Sequence, residues 1–552
     1  MSEFYEVHCT NCGEVISADR MAIDLDELIH DYLKIQIEDS GNEELRTVLE
    51  DWSYLRLGMY LSPYEMVQKN FLDEGKRLII KASDILKFIG EKYSRNKFQL
   101  HVNDSGRLEL PDDIRRELTL KLPLYNTKDV DREEKSRRVQ EAVEFLANSP
   151  DVLFLECICE FRKSLDDRGK EYIDQVLVTK VNGEKKQYQH MVCPKCGEQF
   201  YAHAGQHEER VIVMLGSSRV GKTAYLAALV DTVNRSLKNT GITVTGGLDQ
   251  RYEAFINNIL NDYRAGRKIT KTEADVDDKS TVPLLSLQVR IGERIIIFTL
   301  VDMPGEVFVP RSEAEQMMGE ADGYFIVNRR MICKSASAFW FCVDPVQIDT
   351  RLEMINTGRE NTDRVSVDID NVLQNVDNML YLMGANMKDK PAAIILTKSD
   401  LLSGEGPLSQ RGIEWRDYHL YSRQETNEPY LYLRDGSLYI NSFQQIVDYV
   451  KAYIYNDYND GGVKETFGIR INNMFTHKNF FSVAAYGREA DEKSADRAPY
   501  GVVLPFLWTL ACMGYLPVTC SRFKTVKTGF LGLKEEVRSY TEPAEYQDLF
   551  VN

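Results

Sequence analysis

The octet Gly216-Ser217-Ser218-Arg219-Val220-Gly221-Lys222-Thr223 has the spacing of a phosphate-binding loop, G-x-x-x-x-G-K-[ST]. Glycines let backbone N–H groups turn inward around an anion, and a helix N-terminus beyond them adds partial positive charge. Lys222 is expected to reach the β- and γ-phosphates of a nucleotide, and the Thr223 hydroxyl to ligate Mg²⁺. Gly216, Ser217, Ser218, Arg219, Val220, Gly221 and Ala224 complete the candidate cradle, with Arg219 either touching phosphate or a partner, or solvated. An apolar run ends in Asp302-Met303-Pro304-Gly305, 79 positions after Thr223 (302 − 223). Asp302 there can hold the Mg²⁺ water shell, and the Gly305 N–H can meet a γ-phosphate.

Further on, Thr397-Lys398-Ser399-Asp400 is a T-K-x-D version of the guanine-reading N-K-x-D. Asp400 can accept from guanine N1–H and N2–H₂, a donor pair that adenine lacks, while the stem of Lys398 lies over the base. Thr397 in place of Asn is expected to weaken one structural hydrogen bond of that loop. A last run ends in Ala484-Ala485-Tyr486-Gly487, where a backbone N–H of Ala484 or Ala485 can meet the guanine O6.

A second chemistry lies in Cys9-Thr-Asn-Cys12-Gly and Cys193-Pro-Lys-Cys196-Gly. Each is a tight turn whose glycine accepts positive φ, and four thiolates suit a structural Zn²⁺ with no open position for catalysis. Residues 13 to 192, 180 positions, separate the knuckles, where ribbons usually have ~15–20. One ribbon interrupted by an inserted domain accommodates that gap. Two separate sites helped by His8 or His190, or redox pairs, are the alternatives, and no βαβ context supports redox. Cys157 and Cys159, two apart on an apolar run, read as packing.

The elements needed to position these groups are legible. Val211–Leu215 is a short buried strand before the loop, and Ala224–Leu237 a helix after it. Apolar strands over Leu284–Val289, Ile295–Val301, Ala338–Val343, Ala392–Leu396 and Asn479–Ala484 alternate with amphipathic helices, predicting an α/β domain with a mainly parallel sheet flanked by helices. Upstream, Asp24 and Ser62-Pro63-Tyr64-Glu65 read as helix starts. A helix over Arg132–Asn148 stops at Pro150, and Val152–Phe161 with Tyr172–Lys180 forms a long hairpin. The expected division is a zinc ribbon first half over 1–16, an inserted helical α+β domain over 17–185, the ribbon second half over 186–207, a P-loop domain over 208–519 and a C-terminal extension over 520–552.

Residues 210–518 resemble a P-loop GTPase of the TRAFAC type in the order, spacing and strand context of these motifs. Within it they look most like the double-GTPase families of bacterial conflict systems, whose loops read like GKTAYLAAL and whose domains end in a segment like Pro505-Phe506-Leu507-Trp508. The first 200 residues resemble only a zinc ribbon. The resemblance implies GTP/GDP and Mg²⁺ as ligands, GTP hydrolysis, and a protein partner from a conflict system, a second GTPase among the candidates. Thr270, Thr272 and Thr281 precede the strand from Leu284, and Thr272 best matches the family's switch threonine. Glu306 stands where the family often has the water-positioning Gln, so it is the candidate for orienting water. Its charge would repel a γ-phosphate, implying slow or partner-activated turnover.

Composition narrows the rest. The 552 residues suggest three or four domains, and 28% charged with 43% hydrophobic residues is ordinary for a globular chain. A net charge of −17 argues against coating nucleic acid. The ten cysteines, without a disulfide-like pattern, and an N-terminus lacking signal-peptide regions lead to the expectation of a cytoplasmic protein. The uncharged Val502–Val518 reads as a buried element, not a membrane span. A nucleotide-dependent switch is the leading reading; a GTP-binding scaffold with little turnover and a nucleotide-gated zinc-ribbon nucleic-acid binder are its rivals.

Overall fold

The computed structural model describes residues 4–9, 12–40, 57–73, 76–93, 101–105, 107–121, 132–188, 191–201, 204–217, 219–237, 240–246, 255–267, 269, 284–303, 332–352, 369–383, 388–402, 433–434, 436–455, 465–486, 499–528 and 534–550. The chain divides into two compact units, Met1–His207 and Glu208–Asn552.

In the first unit, strands Glu6–His8 and Val15–Ser17 pair antiparallel around the first cysteine turn. The helix Leu25–Ser40 starts where Asp24 Oδ1 accepts from the N–H groups of Asp26 (3.0 Å) and Glu27 (3.3 Å). Ser62 opens Pro63–Gln68 with a complete capping box: its Oγ accepts from Glu65 N–H at 3.3 Å, and the Glu65 carboxylate accepts from Ser62 N–H at 2.9 Å. A helix spans Arg132–Asn148. Leu153–Leu165 and Glu171–Lys180 form the long hairpin. Arg77–Lys81 and Lys185–Tyr188 extend it into a four-stranded antiparallel sheet, and the expected 185/186 division falls inside that last strand. Cys157 and Cys159 are both buried on one face, with sulfurs 3.9 Å apart. Asp26 is buried, and its carboxylate accepts from Gly58 N–H (2.8 Å) and Met59 N–H (3.2 Å). Burial, with Asp24 nearby, outweighs those bonds and pushes Asp26 up to about 6.

The second unit is built on a seven-stranded sheet. Its spatial order is Ile242–Gly246, Leu284–Ile291, Arg294–Asp302, Glu208–Leu215, Ala336–Val343, Ala392–Leu396 and Lys478–Ser482. From Arg294–Asp302 onward all neighbours are parallel. Leu284–Ile291 runs against both of its neighbours, so the sheet is mixed, while the other six strands run one way, as expected of a mainly parallel sheet. The cause is local: only Gly292 and Glu293 separate Ile291 from its partner Arg294, and a two-residue link can join only antiparallel strands. The central strands are apolar and buried over Val211–Leu215, Ala338–Val343 and Ala392–Leu396, as stretches covered on both faces must be.

The uncharged run after Val502 forms the helix Leu504–Cys512, every residue of which is buried. Trp508 Nε1 donates to Leu549 O (2.7 Å) and Trp340 Nε1 to Thr509 Oγ1 (3.0 Å), so both indoles are satisfied inside the core. No described helix is long and apolar enough to cross a membrane. A second sheet orders Leu433–Arg434, Ser437–Tyr439, Val518–Thr528 and Lys534–Pro543, and the expected 519/520 division lies within its third strand.

Candidate functional site

The phosphate loop leaves the C-terminal end of the central strand Glu208–Leu215 and enters the helix Lys222–Ser236. Gly216 has φ 137°, and a Cβ there would meet the Cys342 carbonyl oxygen at 2.4 Å, so only glycine fits. Gly221, at φ 94°, is the left-handed N-cap. The first helical bond recorded is Tyr225 N–H to Gly221 O (2.9 Å), so the N–H groups of Lys222, Thr223 and Ala224 precede the helical ladder. Val220 is buried, and Arg219, exposed, adopts φ 66°. The Lys222 ammonium is buried and folds back over the loop, donating to Gly216 O (3.1 Å) and Ser217 O (2.9 Å).

Asp302 ends its strand beside this loop. Its Oδ2 accepts from Thr223 Oγ1 at 2.8 Å, and its Oδ1 lies 3.9 Å from Lys222 Nζ. A hydroxyl and a carboxylate meeting at a helix N-terminus, with a buried ammonium beside them, form the hard-oxygen set that Mg²⁺ prefers, so the residues present fit that ion. Ser217 is buried and its Oγ accepts from Gln347 Nε2 at 2.6 Å.

The T-K-x-D loop follows the strand Ala392–Leu396. Thr397 Oγ1 lies 2.5 Å from Val220 O and 3.0 Å from Val343 O, both acceptors. The structural bond expected to weaken with Thr in place of Asn is therefore made, and it ties this loop to the phosphate loop. Lys398, at φ 50°, donates to Arg219 O (2.8 Å) and Asp344 Oδ2 (2.7 Å). Arg219 and Lys398 are two of the four non-glycine residues with positive φ among the described residues, and strain of this kind collects at functional sites. Asp400 lies in the short 3₁₀ turn Ser399–Leu402. Burial first, then the Asp400 carboxylate, pushes the Tyr500 phenol well above its ordinary value.

Ala484 departs from expectation. Its N–H donates to Tyr500 O (3.1 Å) and its carbonyl accepts from Tyr500 N–H (3.0 Å), a two-bond bridge that commits the amide. Ala485 is left as the one of the pair whose N–H that bridge does not hold. Ser218, Thr270, Thr272, Thr281, Gly305 and Glu306 lie outside the described residues.

Two residues of the site were not singled out from sequence. Asp344 is fully buried; it caps the short helix Pro345–Ile348 through Val346 N–H (3.0 Å) and holds Lys398. Gln347 completes its capping box and reaches Ser217. The signal was present as Asp-Pro-x-Gln after an apolar strand, a helix-start pattern.

The four knuckle cysteines form one cluster, with all four sulfurs within 4.8 Å of one another. Cys9 and Cys196 sulfurs are 3.5 Å apart, and those of Cys12 and Cys193 are 3.7 Å apart. The halves repeat the same turn: Cys9 N–H donates to Glu14 O and Gly13 N–H to Cys9 O, while Cys193 N–H donates to Glu198 O and Gly197 N–H to Cys193 O. Gly13 (φ 68°) and Gly197 (φ 75°) take the positive φ expected of them. The cluster fits a split Zn²⁺ site.

No curated protein matches the chain. Residues 210–422 match the family model described as Double-GTPase 2, a span that holds the phosphate loop, Asp302, Asp344 and the T-K-x-D loop. The chain thus carries a Double-GTPase 2 family domain, joined to a four-cysteine cluster consistent with a split zinc site.

Proposed function

We propose that the second unit binds GTP and hydrolyses it to GDP as a nucleotide-dependent switch. The observation that carries this reading is the convergence of Lys222, Thr223 and Asp302 at one helix N-terminus, with Thr223 and Asp302 2.8 Å apart. The amides at the start of the helix Lys222–Ser236 and the Lys222 ammonium would hold the β- and γ-phosphates. Thr223 and Asp302 would hold Mg²⁺, which when bound neutralises charge on the phosphate oxygens. Asp400 would accept from guanine N1–H and N2–H₂, with the Lys398 stem over the base. In hydrolysis a water oxygen bonds to the γ-phosphorus, and the bond from that phosphorus to the β–γ bridging oxygen breaks. That oxygen stays with GDP, and inorganic phosphate carries off the water's oxygen. Gly305 would face the γ-phosphate and Glu306 the attacking water, with Thr272 as the switch ligand. The switch would act on a protein partner in a bacterial conflict system, a second GTPase being the candidate. The zinc ribbon, 1–16 with 186–207, would carry the inserted module 17–185.

The test is base selectivity. Purified protein should bind GDP and GTP in preference to ADP and ATP. Lys222→Ala should abolish tight binding, and Asp400→Asn should shift preference toward xanthine nucleotides, because the amide can donate as well as accept. Equal competition by ATP and GTP in the wild type would refute the guanine assignment.

A further inference from the structure

The loop expected to read guanine O6 is held from outside by a tyrosine of a distant element. A π-helical turn, Ile256–Leu260, runs into the short helix Asn261–Arg264, on which Tyr263 is completely buried. Tyr263 Oη donates to Ala485 O at 2.6 Å, across 222 positions of sequence. Its ring lies 5.2 Å from that of Tyr486, whose own hydroxyl donates to Arg267 O at 3.1 Å.

These bonds bear on where two amides point. A trans peptide is planar, with its N–H directed opposite to its carbonyl. The Ala484 carbonyl is held by Tyr500 N–H, which fixes the plane carrying the Ala485 N–H. The Ala485 carbonyl is held by Tyr263, which fixes the plane carrying the Tyr486 N–H. Both planes flanking Ala485 are therefore set, and with them the directions of two successive donors. A carbonyl oxygen such as O6, with two lone pairs, is the base atom such donors suit.

We propose that Tyr263 is a positioning residue for guanine specificity, holding the 485–486 peptide so that its N–H recognises O6. This rests on the guanine reading above. Tyr263 touches no base atom; it acts through Ala485. A π-helical turn adjoining such a residue fits this role, since these turns appear frequently at functional sites.

The experiment compares GDP with 6-thioguanosine diphosphate, which keeps the N1–H and N2–H₂ donors facing Asp400 and replaces O6 by a weakly accepting sulfur. In full-length protein, Tyr263→Phe keeps the buried ring and removes only the hydroxyl. It should weaken GDP about 3–10-fold, as losing one hydrogen bond does. Affinity for the thio analogue should stay within about twofold, so discrimination between the two should collapse. A wild type indifferent to GDP and ADP would overturn the guanine reading itself. A guanine-selective wild type whose Tyr263→Phe variant weakens both ligands equally, or neither, would overturn the role of Tyr263 alone.

Discussion

Replacing Asp344 by Asn should loosen the T-K-x-D loop while leaving its shape nearly unchanged. Asp344 uses one carboxylate oxygen for Val346 N–H (3.0 Å) and the other for Lys398 Nζ (2.7 Å). An amide offers one acceptor oxygen, so Asn can keep the helix cap or the lysine, and its NH₂ then faces another donor. A hydrogen bond to a charged group contributes about 1.5–3 kcal/mol. The Asp344 side chain is 0% exposed but that of Lys398 is 31% exposed, so solvent screening lowers the expected loss to about 1–2 kcal/mol. The lysine must then be ordered by the incoming base, and affinity should fall about 5–30-fold, at 1.4 kcal/mol per decade. Titration with a fluorescent GDP analogue measures this, in Asp344→Asn, Lys398→Met and the double variant. The two changes should couple by at least about 0.5 kcal/mol. Additive effects, or unchanged affinity in Asp344→Asn, would refute the claim that the carboxylate acts through Lys398.

Metal analysis should find one Zn²⁺ per chain, and Cys9→Ser and Cys193→Ser should each release that same ion; two ions per chain would contradict a single ribbon. Single-turnover GTP hydrolysis should fall in Glu306→Ala, on the order of 10²-fold or more, with binding little changed. Equal rates would make Glu306 a bystander, and a wild type inactive even with its partner would favour a scaffold. Asp26 binds its proton more tightly in the folded chain, so its contribution is fully present below the unfolded value of 3.8 and is lost as pH rises through about 6. Asp26→Asn should therefore gain on the wild type by up to about 3 kcal/mol between pH 4 and 7, read from chemical denaturation, whereas parallel profiles would reject the buried-carboxylate argument.

What the sequence made legible was local. The octet, its strand and its helix follow from consecutive residues, as do the Ser62 capping box and the helix Arg132–Asn148. What escaped depends on partners far away. Asp344 gains its meaning only when the fold brings Lys398, 54 positions on, within 2.7 Å. The Ala484 amide looked free for a base because its partner, Tyr500, follows a stretch with no strand pattern to announce pairing. The reversed strand Leu284–Ile291, second from the sheet's edge, has a local cause: Gly292 and Glu293 between two apolar runs require a hairpin, which an alternating strand–helix pattern does not announce.

The split four-cysteine cluster has a consequence for synthesis. A ribosome adding ~5–20 residues per second makes the 180 residues between the two knuckles in roughly 9–36 s. For that interval Cys9 and Cys12 exist as a two-thiol half-site, exposed to oxidants and to any soft cation. The fold answers by making the late half complete the early one: the Met21–Ile23 stretch is anchored by Ala22, which exchanges backbone bonds with Val192, next to Cys193. The first knuckle is thus made well before the second and is finished only with it. A nascent chain stalled before residue 193 carries an open claw where the released protein carries a closed clasp.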